Sequence, residues 1–250
     1  MSALLESVGE KLGRLLGRPR RIGEEEFKTF RRESFDPVTR SGACYVPMPG
    51  FERTVHYRDK QNLHHLGRYE WAVRVLGARA ERGSVLDCAC GVGYGSRMLA
   101  EVFERVDAVD VFDEAIAMAR ERYDDSRIEW RCLDAARLRD VYKEDSFDAI
   151  VSFQTIEVVE DDEKLLDDFR ALLKPGGILL IDTPVRKQRI DHPDHPHHKR
   201  NYGLDDWITL LKRRFDILAF SELPEAEFLR RCQMPSQGSI VHCTRPLGVW

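Results

Sequence analysis

Residues 84–96 read SVLDCACGVGYGS, and the fold follows from how that stretch divides. Val85 and Leu86 form a short apolar run closed by Asp87, the pattern of a buried strand. Gly91, Gly93 and Gly95 then stand at alternate positions. Lacking Cβ atoms, they let the chain turn tightly and bring its backbone close to a ligand. The spacing predicts a helix starting at Tyr94 or Ser96, with its first N–H groups directed at that ligand. An ordinary strand–turn–helix corner has the same local pattern, so the rest of the chain decides the reading.

From Ser84 onward, strand-like and helix-like segments alternate. Strands are expected near Val85–Cys88, Val106–Asp110, Ile128–Cys132, Ala149–Phe153 and Ile178–Asp182. Helices are expected near Tyr94–Val102, Glu114–Tyr123, Asp162–Leu173 and Leu204–Leu211. Phe215–Phe220 and Ser239–Cys243 supply a closing strand pair. This alternation marks an α/β fold, a doubly wound, mostly parallel sheet of seven strands with crossover helices. Asp110 ends the second strand, where an acid can accept hydrogen bonds from both ribose hydroxyls of a nucleotide. Asp134 ends the third, in RCLDAA, where a helix cap is one reading. Ser146–Glu157 (SFDAIVSFQTIE) is a buried strand whose C-terminal edge opens on the same site, and Leu172–Gly177 (LLKPGG) is a helix stop and turn.

The ordered motifs resemble the class I S-adenosylmethionine-dependent methyltransferases. Asp87, Gly91 and Gly93 meet that family's acid-x-x-x-Gly-x-Gly pattern, and the helix–KPGG–strand order is typical of it; the resemblance covers residues 87–184. It implies a Rossmann-like fold with S-adenosyl-L-methionine as cofactor. The residues expected to bind it are Asp87, Cys88, Ala89, Gly91, Gly93, Asp110, Val111, Asp134, Ala135 and Phe153, with Asp134 accepting from the adenine amino group. HHLGRYEWA at 64–72, with the GYGS sequence, looks like a bacterial subgroup that acts on glycans and related metabolites. There His65, Arg68 and Tyr69 would lie near the cofactor's rim; a helix with one packed face is the competing reading. Many glycan-directed relatives have His-x-x-x-Tyr after the fifth strand, matched here by His198 and Tyr202. The family often has His where this chain has Val158, which removes one candidate base. The resemblance favours a sugar, glycan or other small metabolite methylated on oxygen. His198 is then the first-choice base, Glu157 the second, and Tyr202, His197 and Arg68 contact the acceptor.

The histidine run Asp191–Tyr202 (DHPDHPHHKRNY) holds four of the chain's eight histidines. Imidazoles suit a transition metal or acid–base work near pH ~6.5, and a polar proline loop needs neither; no metal is assigned. The formal charge of −4 gives no general attraction to nucleic acid. The Asn/Asp-Pro-Pro-Tyr/Phe sequence expected of enzymes that methylate base amino groups is missing. Two other functions share these features. A nicotinamide-dependent oxidoreductase would have the sheet and the ribose acid, but Ser96 stands at the third glycine of Gly-x-Gly-x-x-Gly. A catalytically silent cofactor-binding protein would keep the fold alone.

The 250 residues, 42% hydrophobic and 33% charged, accommodate one α/β domain at 61–250 with an N-terminal extension at 1–60. Leu4, Leu5, Val8, Leu12, Leu15 and Leu16 recur at helical spacing, so a helix is expected there, packed on its own domain or a partner. A membrane-surface helix is the weaker alternative, since Glu6, Glu10 and three glycines interrupt it. Glu24–Arg40 reads as an exposed arm, and Pro47, Pro49 and Gly50 as a loop. No apolar run approaches the roughly 20 residues that span a bilayer, and no signal peptide is expected. The six cysteines match no common zinc spacing and are read as reduced thiols of a cytoplasmic protein.

Overall fold

The computed structural model describes residues 43–48, 51–56, 60–78, 83–186, 188–192, 198–221 and 239–245. The expected helix over residues 4–16 and the charged arm lie outside these. Strands β1 (Ala43–Met48) and β2 (Phe51–His56) pair antiparallel, with Pro47 opposite Glu52. The loop expected around Pro47 is therefore a ribbon. A two-stranded ribbon consists of edges only, so the missing proline N–H interrupts no interior ladder.

Helix α1 (Lys60–Gly77) leads into β3 (Ser84–Cys88), α2 (Tyr94–Leu99), β4 (Arg105–Asp110), α3 (Asp113–Arg122) and β5 (Ile128–Cys132). A short 3₁₀ turn (Ala135–Arg137) and α4 (Leu138–Val141) precede β6 (Phe147–Phe153), α5 (Asp162–Leu172) and β7 (Leu173–Thr183). Strands β8 (Val185–Arg186), β9 (Ile190–Asp191) and β10 (Arg200–Gly203) come next, then α6 (Leu204–Lys212), β11 (Asp216–Ser221) and β12 (Ser239–Thr244).

The main sheet has the order β11-β12-β7-β6-β3-β4-β5. Strands β3 to β7 pair parallel, and β12 runs antiparallel between β7 and β11. The expected seven-stranded, mostly parallel doubly wound sheet is thus present. Parallel strands covered on both faces become near-continuous apolar runs, and here their side chains alternate between two cores. Val85, Ala149, Val151, Ile178 and Leu180 pack with Leu76, Met98, Leu99 and Ile116 on one face. Leu86, Ile150, Leu179 and Ile181 pack with Leu166, Phe169, Trp207 and Leu211 on the other.

Leu172 ends α5, as the helix-stop reading expects, but the expected turn is drawn into the sheet: Leu173–Gly177 is an irregular start of β7, with Gly176 at a φ of +76° and the register to β6 slipping between the Phe147–Leu173 and Ala149–Ile178 pairs. The slip is held from both sides: Gly176 N–H donates to Arg245 O, and Arg245 N–H donates to Gly177 O. Lys174 Nζ donates to both Asp148 carboxylate oxygens, at 2.8 and 2.9 Å. These contacts lie at the start of β6 and β7, opposite the strand ends that carry the site.

A second small sheet, in the order β8-β10-β9, follows β7. The order of the main sheet reverses between β3 and β6, both of which neighbour each other. Crevices at such a reversal, outside the C-terminal strand ends, are where open α/β sheets bind ligands. Among the described residues, no helix is long and apolar enough to cross a membrane.

Candidate functional site

The glycine loop is tied down by backbone bonds. Ala89 and Cys90 N–H both donate to Val109 O, at 2.9 and 3.0 Å, so the loop folds over the end of β4. Gly91 N–H donates to Asp110 Oδ2 at 2.8 Å, and Phe112 N–H to Oδ1 at 3.0 Å. An ionised carboxylate has about four lone-pair positions, so Asp110 retains acceptor capacity for a ligand. Burial raises its pKa, and the backbone N–H groups of Phe112, Gly91 and Val111 offset that rise only in part.

The three alternate glycines have different jobs. A Cβ on Gly93 would sit 2.5 Å from the Trp130 ring and 2.7 Å from Ala119 Cβ, and one on Gly95 would sit 2.2 Å from the Tyr69 ring. A Cβ on Gly91 would meet nothing within 4 Å. Only Gly91 faces open space, and it does so with φ at +55°. Val111, which follows Asp110, is 55% exposed, and Cys132 Sγ donates to Val111 O at 3.5 Å. Open space over a bare backbone, an exposed apolar surface and an acid with spare lone pairs fit an adenosyl group. Asp134 is exposed at the end of β5, with Oδ1 accepting from Ala136 N–H at 2.8 Å as a cap.

Asp87 is fully buried, and its oxygens are engaged within the protein. Tyr69 hydroxyl donates to Oδ1 at 2.8 Å and Ser96 hydroxyl to Oδ2 at 2.6 Å. Burial pushes its pKa up to about 6 against those two bonds. The acid thereby fastens α1 and α2 to the end of β3. Cys88 points into the second core, and burial raises its thiol pKa. Phe153 ends β6 with its ring 5.2 Å from that of Tyr69, edge to face.

The neighbour of Tyr69 on α1 makes a second tie. Arg68 Nε lies 2.5 Å from Asp182 Oδ2, and both side chains are buried. Gln154 contributes its N–H to Asp182 Oδ1 at 2.8 Å and its amide Nε2 to Oδ2 at 3.0 Å. Gln154 holds φ at +56°, a conformation costing on the order of 1 kcal/mol for a non-glycine residue. Glu157 is buried, with Thr183 hydroxyl donating to Oε2 at 3.1 Å. Burial, then the charge of Asp182, pushes its pKa up to about 8.

The histidine run reaches this edge through the small sheet. Lys199 and Arg200 N–H donate to Glu157 O at 2.8 and 3.2 Å. The buried Arg200 guanidinium donates to the carbonyls of Ile156, Val159 and Glu160 at 2.7–3.0 Å. His198 Nε2 lies 3.0 Å from Asn201 Oδ1, and Asn201 Nδ2 lies 2.9 Å from His192 Nε2.

Two expected contacts are corrected by this geometry. Tyr202 is fully buried and its hydroxyl donates to Asp162 Oδ2 at 2.7 Å; it anchors the small sheet and presents no hydroxyl to an acceptor. Arg68 is inside the protein on Asp182, not at a rim. His195 and His197 lie outside the described residues, as does the side chain of His65. Asp182 itself was missed, although LLID repeats the apolar-run-then-acid signal read at Asp87 and Asp110. Ser96 was read only as a departure from a glycine pattern. Nothing local marks Arg200, whose partners are about 40 positions away. Among the described residues no group of three or more His, Cys, Asp or Glu could hold a metal ion.

Residues 86–181 match a family model described as a methyltransferase domain. The chain is 31% identical over 170 residues, 67% of its length and 64% of the relative's, to a probable S-adenosylmethionine-dependent methyltransferase of Mycolicibacterium smegmatis. It spans 58% of two similar Mycobacterium tuberculosis relatives. Its fold is similar to that of the N-methyltransferase NodS from Bradyrhizobium japonicum, solved with S-adenosyl-L-homocysteine (TM-score 0.56, 19% identity, 73% of this chain and 88% of that one). The [4+2]-cyclase SpnF is similar too (TM-score 0.60, 19% identity, 88% of this chain and 96% of that one), so the fold is shared by proteins named for different reactions.

Proposed function

We propose that the chain is a class I S-adenosylmethionine-dependent methyltransferase, a reading supported by the methyltransferase-domain match over residues 86–181 and by the 31% identity to the Mycolicibacterium smegmatis relative, and that it methylates a hydroxyl of a small-molecule or glycan acceptor. The observation that supports this reading is the seating of the histidine run on Glu157. Lys199 and Arg200 bond to the Glu157 carbonyl, so the segment that carries His198 is tied to the residues following β6. We assign the donor to Gly91, Asp110, Val111 and Asp134, acting as cradle, ribose acceptor, apolar surface and adenine partner. Residues 61–250 form the catalytic domain in this reading, residues 1–60 an extension, and the protein works in the cytoplasm.

When bound, S-adenosylmethionine supplies a methyl group on a cationic sulfur that departs with the bonding electron pair. The protein's task is then to hold the acceptor in line and keep water out. His198 takes the acceptor hydroxyl proton, converting neutral imidazole to imidazolium; such assistance contributes roughly 10²–10⁴-fold. Glu157 is the weaker candidate. Its carboxyl is covered, and with a pKa near 8 it holds a proton at neutral pH.

Acceptor screening with labelled donor tests the class of substrate directly. His198→Ala is expected to lower turnover roughly 10²–10⁴-fold while calorimetry shows unchanged binding of S-adenosylhomocysteine. Normal turnover in that variant removes His198 from the reaction.

A further inference from the structure

The two imidazole contacts of Asn201 carry more information than their distances. A primary amide has an acceptor end and a donor end. Asn201 Oδ1 faces His198 Nε2, and Asn201 Nδ2 faces His192 Nε2. An oxygen can only accept, so His198 Nε2 carries a hydrogen in this bond. An NH₂ group can only donate, so His192 Nε2 is bare in its bond. Even with the amide turned end for end, the two rings would have to stay in opposite states. Both hydrogen bonds cannot be satisfied otherwise.

We propose that Asn201 is a positioning residue that locks His198 and His192 into opposite tautomers, placing the neutral His198 lone pair on Nδ1. The proposal deepens the reading of His198 as the base, on which its kinetic consequence rests. The geometry supports a fixed ring orientation as well as a fixed tautomer. Asn201 stands on β10 opposite Ile190 of β9, and His192 N–H donates to Lys199 O at 2.6 Å. The backbone therefore sets the spacing of the two rings, whose centroids are 6.1 Å apart. In this tautomer Nε2–H stays on Asn201, and protonation at Nδ1 turns the ring into imidazolium without releasing that anchor.

Long-range proton–nitrogen NMR of the full chain, labelled with ¹⁵N-histidine, reads each tautomer, with signals assigned by single His→Gln variants. The spectrum is taken at about pH 8.5, well above the usual histidine pKa of ~6.5. Free histidine favours Nε2–H, so His192 is the diagnostic ring: Nδ1–H is expected there and Nε2–H at His198. In Asn201→Asp the carboxylate accepts from both rings, and both should become Nε2–H. In Asn201→Ala, His192 should revert to Nε2–H. A native His192 already in the Nε2–H form, or one unchanged in Asn201→Ala, overturns the proposal.

Turnover should fall roughly tenfold or more in Asn201→Ala and be largely restored in Asn201→Asp, which keeps the His198 anchor. Full activity in Asn201→Ala, with His198→Ala inactive, also overturns the positioning role. If His198→Ala is fully active, the base assignment fails by itself, and the NMR result alone judges the hold of Asn201 on the rings.

Discussion

The two halves of the sheet's C-terminal edge are held by different kinds of bond. At the ends of β3, β4 and β5, the loop and Asp110 are fastened by backbone N–H groups (Ala89 and Cys90 to Val109, Gly91 and Phe112 to Asp110), with side-chain bonds from Tyr69 and Ser96 added at Asp87. At the ends of β6 and β7, side chains do the fastening: Arg68 and Gln154 to Asp182, Thr183 to Glu157, Arg200 to three carbonyls, Tyr202 to Asp162. A backbone-built half can be re-sequenced widely around a few glycines and acids and still present the same surface. A half built from side chains changes its surface whenever one partner changes. The first arrangement suits a donor common to a family and the second an acceptor particular to one member.

The glycines give the strongest break in that comparison. Gly93→Ala drives a Cβ into Trp130 and Ala119 from a φ of +85°, and should cost about 3 kcal/mol or more of stability through overpacking and left-handed strain. Gly91→Ala, with open space in front of it, should cost only about 1 kcal/mol by the same reasoning on strain, and show instead as weaker donor binding. Denaturant unfolding beside calorimetry separates the two; equal stability losses would mean that the loop is a packing element throughout.

The side-chain half should show itself in pH dependence. Glu157 has its pKa raised from 4.5 to about 8 in the fold, so the folded state holds the proton more tightly than the unfolded one. Its contribution is fully present below pH 4.5 and is lost as pH rises towards about 8. Glu157→Gln, which mimics the protonated form, should lose less stability than the native chain across that window, by about 2–4 kcal/mol. Parallel stability curves for the two proteins would show that the carboxyl is ionised without penalty.

A smaller effect is expected at the acid of the donor half. Asp110→Ala should weaken binding of S-adenosylhomocysteine by about 1–3 kcal/mol, the range for a charged acceptor lost from hydrogen bonds. Unchanged affinity by calorimetry would detach Asp110 from ribose. The adenine side should respond less, since Asp134 is exposed and already caps the turn through Ala136. Asp134→Asn, which keeps a capping oxygen, should weaken binding by less than Asp110→Ala, and a larger loss would reverse the ranking of the two acids.

Much of the fold could be read directly because its signals are local. Apolar runs ending in Asp87 and Asp110, glycines at alternate positions and amphipathic segments between strands each fit within a dozen residues. Each matched an observed element to within a few positions, apart from the over-long helix drawn past Leu99. The misreadings came where the determinant was remote. KPGG looks like a turn until Arg245 and Asp148 hold it within the sheet across a slip in register. Tyr202 looks like a substrate ligand until Asp162, 40 positions earlier, takes its hydroxyl. Gly93 and Gly95 look interchangeable with Gly91 until Trp130 and Tyr69 occupy the space a Cβ would need.

The chain's one-dimensional pattern was enough to determine a parallel sheet with crossover helices, its strand-end acids and its glycine bend, because hydrophobic period and backbone freedom are properties of neighbouring residues. Only the tertiary structure decided which of those residues face a ligand and which are consumed internally. Burial and hydrogen-bond partnership belong to pairs of groups, and most of the pairs at Asp87, Glu157, Asp182 and Asn201 are closed by parts of the chain that meet only after folding.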